Sequence, residues 1–199
     1  EWNNWLFSGA IDAGHGGYDA NRSIAVAGLT ANSQSKFGAN HAGLHARIAY
    51  NVALSDWYVK PYVDLHAVHI RTGSYSESYA AGLGLNVASS SNTTYSATPM
   101  LEAGARWTLG NGMVLRPYAA IGRAFHSNND WSSSSQLTGA NLSVAPMSIG
   151  FDAPRQFTRA KAGLNLAITK SSELRIEYSG DFARGYRIRE GSLRYSYFF

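Results

Sequence analysis

The sequence predicts an all-β fold, an antiparallel transmembrane β-barrel, because apolar residues recur at every second position and short turns alternate with long polar connections. In residues 42–54, every even-numbered position from Ala42 to Leu54 is apolar or aromatic, while His45 and Arg47 lie among the odd ones. A segment of this length exceeds the roughly five or six residues of a typical soluble strand. It suits the roughly 9–11 residues with which a barrel strand crosses a bilayer.

Eight segments share this character, and we predict that they span the membrane: 3–13, 42–54, 57–71, 98–109, 112–126, 155–169, 173–184 and 188–199. The run 78–88 also alternates, but an even number of crossings must separate two turns on the same side. It is therefore predicted to fold back outside the membrane, unless the polar stretch 89–97 supplies a fourth crossing. The run 22–30 is ambiguous. Residues 112–126 alternate less regularly because Arg123 falls on the apolar face. All of residues 1–199 are assigned to one domain.

The connections between these segments alternate in length. Ser55-Asp56, Gly110-Asn111-Gly112 and Lys170-Ser171-Ser172 are tight turns of turn-forming residues, and the long polar stretches are 14–41, 72–97 and 127–154. In bacterial outer-membrane barrels the short turns are periplasmic and the long loops extracellular. The pattern therefore predicts an integral protein of the Gram-negative cell outer membrane, in contact with its lipid, with the long loops outside.

Composition excludes several other classes. Only 15% of the residues are charged, yet no stretch approaches the roughly 18 consecutive apolar residues of a transmembrane helix. The absence of cysteine excludes disulfides, thiolate metal sites and cysteine nucleophiles. The net charge of +4 comes from basic residues scattered singly along strands, so no nucleic-acid-binding patch is predicted.

A soluble β-sandwich or lipocalin-like barrel also alternates and is the alternative fold. Strand length argues against it, and so does the position of the large aromatic residues. These lie near strand ends on the apolar face, where a membrane barrel carries its interfacial girdle. They are Trp5, Trp57, Trp107, Tyr178, Phe182 and Tyr197.

The polar faces of the predicted strands carry acids and bases together, which indicates a hydrated lumen. Expected pairs are Glu102 with Arg106, Glu177 with Arg175, and Lys60 with Asp64. The charges predicted to face the lumen are Arg47, Lys60, Asp64, Glu102, Arg106, Arg116, Arg159, Arg175, Glu177 and Arg194.

No catalytic residue, cofactor or metal site is predicted, and the chain is not expected to be an enzyme. His126-Ser127 at a strand end is the one candidate for a lipid-facing hydrolase pair, but no acid stands at a fixed offset from it. His66 and His69 do not share a face of a regular strand, which argues against a metal pair. The glycine-rich run 12–17 is not followed by a helix, so it implies no phosphate loop.

Several motifs occur in a distinctive order. Lys60-Pro61-Tyr62 is repeated as Arg116-Pro117-Tyr118, each at the opening of a strand. A Trp-opened strand leads to Asp-x-x-Arg at residues 19–22, and Tyr-x-Glu-x-x-Ala stands at 75–80. A Gly-x-Arg strand at 104–106 precedes a glycine-rich turn. Together these resemble the C-terminal translocator (β-barrel) domain of classical autotransporters, of the type V secretion system, across essentially the whole chain.

The resemblance implies a barrel that anchors an N-terminal passenger domain and supports its export to the cell surface. Family barrels have twelve strands preceded by a linker helix, so we expect that first strands, helix and passenger lie upstream of these residues. Implied partners are the passenger, the linker helix and the barrel-assembly machinery, acting on a monomeric barrel. The alternative function is a small stand-alone barrel acting as an adhesin or structural protein.

The final strand looks like the signal that the assembly machinery recognises. Leu193, Tyr195, Tyr197 and Phe199 alternate on its apolar face and form the predicted C-terminal assembly signal. Because an open sheet edge in lipid leaves unpaired backbone groups, residues 1–199 alone are not expected to form a stable closed pore.

Overall fold

In the computed structural model, the structure describes residues 3–26, 28–78, 82–127, 130–139 and 145–198. Regular structure in these ranges consists of β-strands. No helix in the described part of the chain is long and apolar enough to cross a membrane.

Fourteen strands are found in these ranges. They are β1 Trp5–Val26, β2 Leu29–Tyr50, β3 Val52–Leu54, β4 Trp57–Thr72, β5 Tyr75–Ser76, β6 Leu85–Val87, β7 Ser90–Ala105, β8 Trp107–Thr108, β9 Val114–His126, β10 Asp130–Leu137, β11 Met147–Asp152, β12 Gln156–Ala167, β13 Ser172–Ala183 and β14 Tyr186–Tyr197.

The main sheet is antiparallel and runs β1-β2-β4-β7-β9-β12-β13-β14. Short strands β3 and β8 continue the lines of β2 and β7 by pairing with β4 and β9. The eight positions in this path match the eight predicted segments in order. The sheet curls into a half-barrel, and among the described residues β1 pairs only with β2 and β14 only with β13.

The predicted loop 14–41 is wrong. Strands β1 and β2 pair without interruption from Trp5↔Tyr50 to Val26↔Leu29, so the ambiguous run 22–30 lies at the tip of this long hairpin. Similarly, β7 begins at Ser90 inside the predicted loop 72–97. These extensions of β1, β2 and β7 carry polar side chains on both faces, because they lie beyond the segments predicted to span the membrane and have no lipid-facing side. The period-two signal therefore disappears although the backbone ladder continues.

A second, smaller sheet has the order β11-β10-β6-β5. The described part of the run 78–88 contributes β6 to this sheet and not to the main one, as the fold-back prediction requires. The small sheet lies against the long hairpin through stacked rings: Phe37 lies between Tyr18 and Tyr75, at 5.3 and 4.7 Å between ring centroids.

The two Lys/Arg-Pro-Tyr motifs have the same effect on the main sheet. Proline has no N–H to donate, and the neighbouring strand is interrupted opposite each motif, between β2 and β3 beside Pro61 and between β7 and β8 beside Pro117. The interrupting residues, Asn51 and Arg106, donate their N–H groups instead to carbonyls of the N-terminal turn and of the Ser55-Asp56 turn. Proline is accommodated in the sheet interior because the adjacent strand breaks.

The main sheet has two ends and two faces, which are named as follows. The turn end carries the short turns 55–56, 109–113 and 168–171, and the loop end is opposite. The polar face consists of the even-numbered residues of β1, β4, β7, β9 and β14 and the odd-numbered residues of β2, β12 and β13. The apolar face consists of the alternate residues of the same strands.

Candidate functional site

The polar face is crossed by ion pairs that link adjacent strands. Arg47 of β2 donates two hydrogen bonds to the Asp64 carboxylate of β4, at 2.5 and 2.8 Å. Arg159 of β12 holds Asp181 of β13 in the same way, with both N–O distances at 2.7 Å. In each case the two residues face each other directly in the strand register. These pairs hold neighbouring strands together while leaving the face without net charge at those points.

Two of the three expected pairings are wrong. Glu102 pairs with Lys60 of the neighbouring strand at 2.6 Å and not with Arg106. Asp64 consequently pairs with Arg47 and not with Lys60. The reason is geometric: residues four apart along a strand are separated by about 13 Å, whereas directly opposed residues lie about 5 Å apart. The third pair, Arg175 with Glu177, is present at 2.7 Å.

Tyrosine side chains contact the residues of these ion pairs. The pattern of charged residues in the sequence does not predict these tyrosine contacts. Tyr58 donates its hydroxyl hydrogen bond to Glu102 at 2.7 Å. Tyr118 donates to Glu177 and accepts from Arg175 at 3.0 Å. The guanidinium of Arg47 lies over the ring of Tyr62, 4.4 Å from its centroid. Their parity within the alternating segments is the signal that assigns these tyrosines to the polar face.

Glycines in the adjacent strands make room for two of these rings. A Cβ added at Gly104 would lie 2.5 Å from the Tyr58 ring, and one added at Gly163 would lie 2.5 Å from the Tyr118 ring. No side chain larger than hydrogen fits between ring and backbone at either position. Each glycine thus leaves room for a tyrosine ring whose hydroxyl bonds to a carboxylate.

A histidine cluster lies on the polar face of β1, β2 and β4. The Asp12 carboxylate is 3.0 Å from Nε2 of His45 and 3.4 Å from Nε2 of His41. His45 in turn meets His66 edge to face, at 4.4 Å between centroids. In the described part of the chain, no group of three or more histidine, aspartate or glutamate side chains has a metal-binding arrangement.

Three predicted lumen charges stand apart from these networks. By strand parity, Arg106, Arg116 and Arg194 belong to the polar face, with Arg194 opposite Arg175. Arg106 and Arg194 are exposed, and Arg116 is half-buried. Within the described residues none of the three has a carboxylate at salt-bridge distance. They add unpaired positive charge to an otherwise balanced face.

His126 and Ser127 are engaged by different partners. The His126 ring stacks on Phe157 with centroids 5.1 Å apart, on the polar face. The Ser127 hydroxyl accepts a hydrogen bond from the Tyr95 N–H at 3.0 Å. The Ser127 hydroxyl is engaged by the Tyr95 N–H, and within the described residues His126 Nε2 has no hydrogen-bond partner. The Ser–His hydrogen bond that activates a serine nucleophile is therefore not formed through this nitrogen. His66 and His69 likewise occupy opposite faces, since His69 bonds Thr93 while His66 contacts His45.

The apolar face exposes a continuous set of large hydrophobic side chains. Ile11 and Leu193 are 84% and 72% exposed, values that need a covering environment. Others on this face are Phe7, Leu44, Ile48, Leu65, Leu101, Ile121 and Ile176. Trp57 and Trp107 meet edge to face at 5.9 Å at the turn end, where an interfacial girdle is expected.

The predicted assembly signal lies on the same face of the last strand. Leu193, Tyr195 and Tyr197 all point outward and are more than half exposed. Phe199 falls outside the described residues. The Phe198 N–H donates to the Ser171 carbonyl at 2.7 Å, which fixes the end of the chain beside the turn between β12 and β13.

An interaction missed by the sequence reasoning joins two of its motifs. Arg22, of the Asp-x-x-Arg motif, donates to both carboxylate oxygens of Glu77, of the Tyr-x-Glu motif, and to the Leu83 carbonyl at 3.1 Å. Glu77 also accepts the Leu85 N–H at 2.9 Å. The Arg22 hydrogen bonds are the main cause of a lowered pKa for Glu77. The small sheet is therefore tied by an ion pair to the hairpin that extends beyond the spanning segments.

Taken together, one face is charged, hydrogen-bonded and nearly neutral, and the other is apolar and exposed. Comparison with known proteins places this arrangement. A family model for the autotransporter β-domain matches residues 1–179. The chain belongs to this family. The predicted fold class, an antiparallel outer-membrane β-barrel, and the predicted role in passenger export are thereby confirmed.

Two further comparisons concern individual proteins. The solved structure of the β domain of the Bordetella autotransporter BrkA is similar at 16% sequence identity and a TM-score of 0.37, covering 98% of this chain and 97% of that one. A search of curated protein sequences finds no match.

Proposed function

We propose that the polar face of this autotransporter β-domain is the wall along which an unfolded passenger moves during export. The observation that supports the proposal is the internal pairing of the charges. Arg47–Asp64, Lys60–Glu102, Arg159–Asp181 and Arg175–Glu177 satisfy one another across or along the strands. Where its charges are paired in this way, the wall is hydrated but offers a passing chain neither a free charge nor an apolar surface.

In this proposal the apolar face contacts outer-membrane lipid, and the turn end lies in the periplasm with the loop end outside. The tight turns between β3 and β4, β8 and β9, and β12 and β13 support this orientation, since short connections are periplasmic in such barrels. The long hairpin and the small sheet then stand at the cell surface, where the passenger emerges.

We also propose that the barrel-assembly machinery recognises the last strand. Leu193, Tyr195 and Tyr197 present an outward apolar row on β14, whose second edge has no partner among the described strands. Such an edge offers free backbone groups for transient pairing during insertion. Phe199 completes the proposed signal at the sequence level.

The export proposal is tested by making the wall apolar at one paired site. In the intact protein, replacing both Arg159 and Asp181 with leucine leaves the net charge of the site at zero but replaces its polar surface with apolar surface. We expect severalfold slower appearance of protease-accessible passenger per inserted barrel. The matched control replaces Lys36 and Asp19, an exposed pair at 3.1 Å outside the predicted span, with leucine.

The control should display passenger at the wild-type rate. Equal display rates for the wild type and the Arg159/Asp181 variant would contradict the proposal, because the passenger would then be indifferent to this wall. Heat-modifiable gel mobility, measured in parallel, confirms that each variant has inserted.

A further inference from the structure

On β9 and β14, three arginines break the apolar face near the loop end. Arg123 lies in β9, and Arg187 and Arg189 lie in β14. All three side chains are exposed, and none forms a salt bridge with a carboxylate of the described residues. Cations on the lipid-facing side of a barrel are costly at mid-membrane and tolerated only near its interfaces.

The strand register aligns these arginines across the sheet. Arg123 faces Thr158, Thr158 faces Phe182, and Phe182 faces Arg187, so one row crosses β9, β12, β13 and β14. At about 4.8 Å per strand, the Cα atoms at the two ends of this row are roughly 14 Å apart. Arg189 lies two residues further down β14, so the cations form two groups with a gap between them.

The depth of Arg123 agrees with a headgroup level. Arg123 lies eight positions beyond Leu115, which faces the girdle residue Trp107 at the turn end. Eight residues cover about 26 Å along a strand, or about 20 Å across the membrane at a tilt near 40°. Because the apolar band of such barrels is about 25 Å tall, Arg123 lies near its far boundary. Arg187 is the second residue of β14 and so lies directly beside the turn at the loop end.

Thr158 and Phe182 lie between the two cationic groups, and a glycine shapes the surface beside Phe182. A Cβ added at Gly180 would lie 2.6 Å from Cζ of Phe182, so the phenyl ring folds down over Gly180. Arg189 is opposite Gly180 in the register, and Arg187 is opposite Phe182. On the other side, Arg123 donates to the Gln156 side chain at 2.8 Å, which orients its guanidinium.

We propose that Arg123, Arg187 and Arg189 form a binding site for the phosphorylated glycolipid of the outer leaflet, lipid A. Guanidinium groups bind phosphate through two parallel hydrogen bonds. Lipid A carries two phosphates separated by a disaccharide, which matches two separated cationic groups. A lipid with a single phosphate engages only one group at a time. Phe182 then packs against the acyl chains between them. The inference rests on the proposed orientation, with the loop end outside.

Lipid binding by the intact, purified protein tests the site. The probes are bis-phosphorylated lipid A, lipid A stripped of both phosphates, and phosphatidylglycerol, each titrated in detergent micelles with native mass spectrometry as readout. We expect bis-phosphorylated lipid A to bind most tightly. Replacing all three arginines with glutamine should weaken that binding on the order of a hundredfold. Lys170→Gln, which removes a cation from the turn end, should leave it unchanged.

Wild-type affinity that is equal for the phosphorylated and the stripped lipid A overturns the site, and this arm requires no variant. Equal binding of phosphatidylglycerol overturns the assignment to lipid A. If the glutamine variant does not insert, an all-lysine variant keeps the charge but loses the bidentate geometry, and undiminished affinity there counts against the site. Passenger display is measured in a separate assay. If the protein binds lipid A but does not display its passenger, the export proposal is contradicted and the lipid A site is not.

Discussion

At the scale of single residues, glycine decides where the polar-face tyrosines lie. Gly163 leaves room for the Tyr118 ring, and that ring brings the hydroxyl to Glu177 and Arg175. Gly104 does the same for Tyr58 and Glu102. The charge networks therefore depend on residues that have no side chain of their own.

Gly163→Ala is expected to destabilise the protein by about 1–3 kcal/mol, because the new methyl group collides with the Tyr118 ring in a packed site. Urea unfolding in detergent measures the change in the free energy of unfolding. Gly191→Ala is the control, since nothing lies within 4 Å of a Cβ at that position. Similar losses in the two variants would mean that the ring contact is not what the glycine serves.

A substitution of one charge also belongs at this scale. Asp64→Asn leaves the Arg47 guanidinium without its carboxylate partner on a largely covered part of the polar face. Hydrogen bonds to charged groups contribute about 1.5–3 kcal/mol, so we expect a loss within that range. A double-mutant cycle with Arg47→Gln measures the coupling, and additive effects would show that the two groups act independently.

At the scale of elements, the sequence was informative wherever one side of a strand had to be apolar. The eight segments from 3–13 to 188–199 were recognised for that reason. Residues 14–41 were missed because both faces of that hairpin are polar. The ion-pair partners of Glu102 and Asp64 were missed because cross-strand register does not follow from spacing along one chain.

The Arg22–Glu77 ion pair joins the long hairpin to the small sheet. We predict that the stability of this joint depends on pH. Arg22 lowers the pKa of Glu77 below its ordinary value near 4.5. A lowered carboxylate pKa stabilises the joint above pH 4.5, and this stabilisation is lost as the pH falls through the pKa of the folded state. Hydrogen exchange at the Gln34 and Ser78 amides, which bond each other's carbonyls, reports on the joint.

Protection of these amides, corrected for the intrinsic exchange rate, should decline below pH 4.5 in the wild type. Glu77→Gln should give weaker protection that no longer changes with pH, whereas Asp19→Asn should behave as the wild type does. A Glu77→Gln variant with the full wild-type pH dependence would show that another group controls the joint.

At the scale of the whole molecule, β1 and β14 each lack a second partner among the described strands, and this limits what the main sheet does alone. Each backbone group left unpaired in lipid costs several kcal/mol, so a sheet with two free edges needs further pairing to be stable there. We expect residues 1–199 by themselves to give no discrete single-channel conductance in planar bilayers. Regular conductance steps would mean that the two edges close on each other.

The assignment of the two faces is the central claim, and the chain lends itself to a direct test because it contains no cysteine. Single cysteines are introduced at adjacent positions that differ only in face: Phe7 and Ser8, Ala10 and Ile11, and Ser192 and Leu193. In outer-membrane vesicles of the intact protein, a water-soluble, membrane-impermeant maleimide should label positions 8, 10 and 192 and spare 7, 11 and 193. Equal labelling within each pair, or the reverse pattern, would contradict a polar lumen and an apolar, lipid-facing exterior.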